Sequence, residues 1–81
     1  MASENQVVIY TKPGCCLCDR AREQLSALQK RHSFDLRDVN ILKDAEAYEK
    51  FKDEIPVIFV NGHEAFKYRL DVNAFLKLIR S

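Results

Sequence analysis

No charge of one sign dominates this chain, and no apolar stretch in it is long. Lys and Arg number 13 against 12 Asp and Glu, a formal net charge of +1. Without a basic excess nothing is available to neutralise phosphates, so nucleic acid is not an expected partner. No apolar run approaches the roughly 18 residues of a membrane helix, so no membrane partner is expected either. The opening MASENQVV has neither the basic nor the apolar region of a signal peptide, and the mature chain is expected to begin there. Repeats, low-complexity tracts and Pro/Gly/Ser linkers are also missing. The 81 residues are expected to form one domain, 1–81. Cysteine is absent everywhere except at Cys15, Cys16 and Cys18. Cysteines that staple a small secreted fold are spread along the chain, because a bridge stabilises mainly by closing a long loop. These three close almost nothing.

What is present is a composition able to fold. Apolar residues make up 47 % and charged residues 31 %, enough to fill a core and cover a surface, which excludes a disordered chain. Clustered thiols without a signal peptide point to a reducing compartment, here expected to be the cytoplasm, and to redox or metal chemistry.

Val7-Val8-Ile9-Tyr10, bounded by Thr11-Lys12-Pro13-Gly14, reads as a strand buried on both faces. Leu17, Ala21, Leu25 and Leu28 then recur at helical spacing and predict a helix from about Cys16 to Arg31. Lys30 and Arg31 fall in its last turn, where positive charge suits the helix dipole. Phe34 to Val39 alternates as a second strand near a sheet edge. A second helix is expected from about Asp44 to Lys52, with Ala45, Tyr48 and Phe51 or Lys52 facing inward. Pro56 opens a third strand, Val57-Ile58-Phe59-Val60. Asn61-Gly62 is a two-residue hairpin signal, so His63 to Tyr68 returns antiparallel. Asp71 caps the last helix, Leu70 is placed to staple against Phe75, and Val72, Phe75, Leu76 and Ile79 form its buried stripe.

The expected order is β-α-β-α-β-β-α. Two strands each followed by a helix imply parallel pairing through right-handed crossovers, with the hairpin adding an antiparallel strand. This is an α/β fold: a mixed four-stranded sheet flanked by three helices.

Cys15 and Cys18 form a C-x-x-C between a strand and the start of a helix. Residues three apart in the first turn face one side, so the two sulfurs can join in a small ring disulfide. At the helix start, unpaired N–H groups and the helix dipole stabilise a thiolate at Cys15, and Lys12 adds a positive charge nearby. Such settings lower a thiol pKa from about 8.5 to roughly 3.5–7.5. Cys15 is then the exposed nucleophile and Cys18, one turn in, the resolving thiol. Two other readings stay open. The cysteines are small apolar residues at a helix start, or they are metal ligands. A closed zinc site wants four ligands, and only His32 and His63, both read as solvated, could join them. An iron–sulfur cluster completed by thiolates of a second chain is the further metal option.

Asp19 beside Cys18 is either a proton relay or a first-turn acid favoured by the helix dipole. Cys16 is either packing or a third thiol open to a reversible cap. Pro56 at a strand start has a plain explanation, since a missing N–H costs little there. If the sheet brings Ile55-Pro56 opposite the cysteines, a cis bond would instead present the backbone of Ile55 to a strand-like substrate.

With these residues assembled, the chain resembles a glutaredoxin of the thioredoxin superfamily over nearly its whole length. Val7 to Cys15 is similar to the family's opening strand, with the Lys three residues before the nucleophile. Ile55-Pro56 followed by Val57 to Gly62 is similar to its cis-proline, strand and hairpin. The resemblance implies the thioredoxin-like, glutaredoxin-like fold and disulfide exchange, with Cys15 attacking, Cys18 resolving and Cys15–Cys18 as the redox-active disulfide. Substrate contact would then fall to Lys12, Ile55 and Pro56.

Two departures qualify what it implies. Cys16-Leu17 stands where the family usually has Pro-Tyr. Phe66-Lys67-Tyr68-Arg69 stands where it usually has Gly-Gly and an acid that hold glutathione, and bulky side chains there obstruct backbone approach to a ligand. No bound cofactor is expected, and the missing glycines argue against glutathione as reductant. The expected partners are a disulfide-containing protein or glutathione and a thiol reductase, with the chain acting as a monomer. The competing functions are an iron–sulfur carrier and a binding module with idle thiols.

Overall fold

A computed structural model describes residues 5–80. The first residues of the opening segment, read above as the start of the mature chain, lie outside the described residues. Eight elements follow one another: β1 (Asn5–Thr11), α1 (Cys16–Gln29), β2 (Phe34–Asn40), a 3-10 turn (Ile41–Lys43), α2 (Ala45–Phe51), β3 (Val57–Val60), β4 (His63–Lys67) and α3 (Val72–Arg80). The sheet order is β2-β1-β3-β4. The expected α/β architecture of four strands and three helices is the one found. The 3-10 turn is an addition, capped by the Asn40 side chain, which accepts from the Leu42 N–H at 2.9 Å.

β1 is a central strand, as its apolar run predicts. Val7 and Ile9 point to one face of the sheet, Val8 and Tyr10 to the other. On the first face Val7, Ile9, Ile58 and Val60 meet Ala21 and Leu25 of α1 and Phe75 and Ile79 of α3. On the second face α2 and the 3-10 turn cover Val57 with Ile41, Ala47 and Phe51, and Tyr10, Ile55 and Phe59 pack against them. The Tyr10 and Phe51 rings stand 4.8 Å apart, within the range of favourable aromatic pairs. The hairpin forms as predicted, with Asn61 at φ +53° and Gly62 at φ +86°, both in the left-handed region that a two-residue turn of this type requires. Asp71 caps α3 through Oδ1, which accepts from Ala74 N–H at 3.2 Å. Leu70 and Phe75 are buried in the same cluster, as the staple requires.

Several expectations are corrected. Leu17 is 51 % exposed, and Cys18 takes the inward position in the first turn of α1 instead. Lys30 is the C-cap and Arg31 lies beyond the helix, so the last turn of α1 carries no basic residue. On α2 the inward pair is Ala47 and Phe51, whereas Ala45 and Tyr48 are exposed. His32 is half-buried, and Tyr68 lies just past β4. The pairing differs most. β1 and β2 are parallel, but β3 runs antiparallel to β1, with Tyr10 opposite Val57. The connection through the 3-10 turn and α2 does not carry the chain back along the sheet, so β3 starts at the end where β2 finished. Among the described residues no helix is long and apolar enough to cross a membrane.

Candidate functional site

The sheet register gathers the chemistry at one end. Thr11 at the end of β1 lies opposite Asn40 at the end of β2. Val57 at the start of β3 lies opposite Tyr10 on one side and Lys67 on the other. The loop from Lys12 to Cys15, the peptide Ile55-Pro56 and Tyr68 therefore all emerge at this end.

Cys15 is the N-cap of α1, with extended backbone at φ −94° and ψ 110°. Gly14 before it, at φ +82°, makes the turn from strand to helix in a region that suits glycine. The Cys15 sulfur accepts a hydrogen bond from the Cys18 N–H at 3.2 Å. Sulfur thus takes the place usually held by a Ser or Asp oxygen at a helix start, where the orphan N–H groups and the dipole favour negative charge. Cys15 is half-buried, Cys16 exposed, and Cys18 fully buried; all three are free thiols. Burial pushes the Cys18 thiol up from 9.0 to about 12. The hydrogen bond and the field of Cys15 add to that rise, while a backbone hydrogen bond with Lys12 and the charge of Arg22 oppose it. The pair is chemically unequal: one sulfur within reach of solvent on the dipole, one held as a neutral thiol inside.

The Ile55–Pro56 peptide is cis. The Pro56 carbonyl accepts from the Tyr68 N–H at 2.8 Å, tying this peptide to the end of β4. Ile55 is half-buried, and among the described residues its main-chain groups have no backbone hydrogen-bond partner. Tyr68 adopts φ +69° with its side chain 51 % exposed. The backbone there takes a conformation natural to glycine while carrying a phenol ring. Lys12 is exposed on the loop before Cys15.

One group of site residues went unnoticed in the sequence. Thr11 donates its hydroxyl to Asp38 Oδ1 at 2.8 Å. Arg22 Nε meets Asp38 Oδ2 at 2.6 Å, and Arg22 Nη1 lies 3.5 Å from Asp19 Oδ1. Asp19, weighed above as a proton relay, thus faces a guanidinium. A polar groove lined by Thr11, Pro13, Asp19, Arg22, Asp38 and Asn40 runs beside the start of α1. Arg22 could have been noticed from its spacing of four from Cys18. Asp38 carries no local signal, because only the parallel register of β1 and β2 brings it here. Among the described residues no three His, Cys, Asp or Glu side chains are grouped to hold a metal ion, and His63 is exposed at the hairpin.

Comparison with known proteins agrees with this fold. An uncharacterised protein of Mycobacterium tuberculosis is 30 % identical over 74 residues, covering 85 % of this chain and 76 % of its own length. The solution structure of a Nitrosomonas europaea protein superposes with a TM-score of 0.84 at 27 % identity, covering 98 % of this chain and 95 % of that one. A malaria parasite thioredoxin-2, described as a component of the parasite's protein secretion machinery, superposes at 0.73 with 21 % identity, covering 99 % and 84 %. That last likeness shows a shared thioredoxin-like fold. Residues 6–80 match the family described as the glutaredoxin-like domain (DUF836). That match covers nearly the whole chain, so this chain, with its thioredoxin-like fold, belongs to the glutaredoxin-like domain family.

Proposed function

We propose that this protein is a dithiol thiol–disulfide oxidoreductase. The observation that carries the reading is the inequality of Cys15 and Cys18 within one helical turn, the first capping α1 and the second buried beneath it. The Cys15 thiolate attacks a substrate disulfide, forms a mixed disulfide and releases one substrate sulfur as thiolate. Cys18 then attacks Cys15, the Cys15–Cys18 bond forms and the second substrate sulfur leaves. The substrate gains two electrons and the protein loses two, to be restored by an external thiol reductase.

Lys12 supplies positive charge on the approach to Cys15. The unpaired main chain of Ile55 supports strand-like pairing of an extended substrate, with Pro56 shaping the turn. That mode suits a protein disulfide. The phenol of Tyr68 at the rim counts against glutathione. The reading further takes the chain to act as a monomer in the cytoplasm, as one glutaredoxin-like domain.

The test is a trap. In a Cys16→Ser, Cys18→Ser protein, a peptide disulfide is expected to accumulate as a dithiothreitol-labile adduct on Cys15, visible by intact mass. With Cys18 restored, the adduct should vanish and an intramolecular disulfide appear. If no adduct forms on Cys15, or if it persists with Cys18 present, the dithiol mechanism is wrong.

A further inference from the structure

The dithiol chemistry as described leaves one polar chain without a task. β1, β2 and α1 contribute one member each: Thr11, Asp38 and Arg22. Thr11 is 2 % exposed and fixes Asp38 through its hydroxyl. The second carboxylate oxygen meets Arg22 Nε at 2.6 Å. That nitrogen is buried, and its contact with Asp38 lies outside hydrogen-bond angles, so charge holds the pair. Asp19 adds a second carboxylate from the first turn of α1. An ion pair of partly exposed side chains contributes little to stability by itself. Its position says more: Arg22 lies four residues after Cys18, on the same face of α1.

We propose that Arg22, held by Asp38 and Thr11, is the counter-charge for the resolving thiolate and stabilises the Cys18 sulfur while it attacks the mixed disulfide on Cys15. The inference rests on the dithiol reading and deepens it; Asp38 and Thr11 are positioning residues. In this step Cys18 gives its proton to solvent, and its thiolate forms the Cys15–Cys18 bond. The bond from Cys15 to the substrate sulfur breaks, and that sulfur leaves as a thiolate that takes a proton from water.

The need for a counter-charge follows from what surrounds Cys18. In the reduced protein, burial, the Cys15 hydrogen bond and the Cys15 charge all oppose its ionisation. Once Cys15 is bound in a mixed disulfide it carries no charge, and burial is what remains in opposition. Favouring the thiolate are the Lys12 backbone and Arg22, of which only the guanidinium brings a full charge, fixed at any working pH. Asp19 of α1 and Asp38 of β2 bring the other charges to this group, each paired with Arg22, at 3.5 Å and 2.6 Å. Pro56 at the start of β3 carries none.

The two phases of reaction with dithiobis(nitrobenzoate) separate the steps. In a Cys16→Ser background the first nitrothiobenzoate released reports attack by Cys15, and the second reports resolution by Cys18. Arg22→Met and Arg22→Gln should slow the second phase and move its pH profile upward while leaving the first phase unchanged. Each unit of rise in the Cys18 pKa removes about tenfold of thiolate and returns about threefold in nucleophilicity, a net loss of about threefold. Arg22→Lys, which keeps the charge, should restore most of the rate; Arg22→Gln, which keeps a donor for Asp38 without charge, should not. A second phase as fast in Arg22→Met and Arg22→Gln as in the parent overturns this proposal alone. A single release from the parent overturns the dithiol reading, and this proposal with it.

Discussion

Cys15 and Cys18 are the same chemical group three positions apart, and their difference comes entirely from place. One caps a helix and the other is sealed beneath it. The buried thiol makes the fold sensitive to alkali. Its folded pKa of about 12 exceeds the ordinary 9.0, so between those values the native state holds a proton that the unfolded chain has lost. The contribution of Cys18 to stability is therefore complete below about pH 9 and declines as pH rises toward 12. Urea unfolding of the reduced protein should show a steeper loss of stability above pH 9.0 than the Cys18→Ala variant shows. Parallel curves would mean that burial does not hold the proton on this sulfur.

At the scale of elements, the clearest sequence signals are those whose physics is local. Asn61-Gly62 dictates the hairpin because both residues tolerate positive φ, and Asp71 with Leu70 and Phe75 dictates the start of α3. The inward face of α2 is poorly marked in the sequence because seven residues make barely two turns. With so short a stripe, Phe51 alone could not say whether Tyr48 or Ala47 accompanies it into the core. Leu17 differs for another reason: a leucine at helical spacing reads as internal, but in the first turn of α1 Cys18 takes the inward position and Leu17 is exposed. Tyr68 carries no turn residue's signature at all. Its φ of +69° is imposed from outside, by the bond to the Pro56 carbonyl and by Leu70 entering the core two residues later. A non-glycine residue in this region costs about 1–2 kcal/mol, against roughly 0.5–1 kcal/mol for the extra freedom glycine loses on folding. Tyr68→Gly should therefore raise stability by up to about 1 kcal/mol, read as a higher urea midpoint with an unchanged slope. A lower midpoint would show that the half-exposed ring packs more than its exposure indicates.

For the whole molecule, two apolar clusters on opposite faces of one sheet hold together a chain of only 81 residues. Phe75 has no exposed surface and sets its ring edge-on to Phe34 of β2, 5.3 Å between centroids. It thus ties the last helix to the edge strand. Phe75→Ala should cost about 3–5 kcal/mol, a large share of the roughly 5–15 kcal/mol typical of a domain. Thermal unfolding followed by circular dichroism would register a Tm lower by tens of degrees or a lost cooperative transition; a fall of only a few degrees would place the stability elsewhere. The thiol pair and proline were visible in the sequence at this scale because a strand, turn and helix announce them locally. The Arg22–Asp38 contact was not, since it exists only through strand pairing across 16 positions of chain.

The course of the connection through α2 has a consequence for how this chain can change. It works as a ruler: because the connection between β2 and β3 makes no return journey, Pro56 is delivered to the rim that carries Cys15. A connection that returned along the sheet would set β3 down the other way round. The proline would then stand at the far rim, with every residue of the thiol motif intact and nothing across from it. The spacing between β2 and Pro56 is thus as much a part of the site's specification as the cysteines themselves.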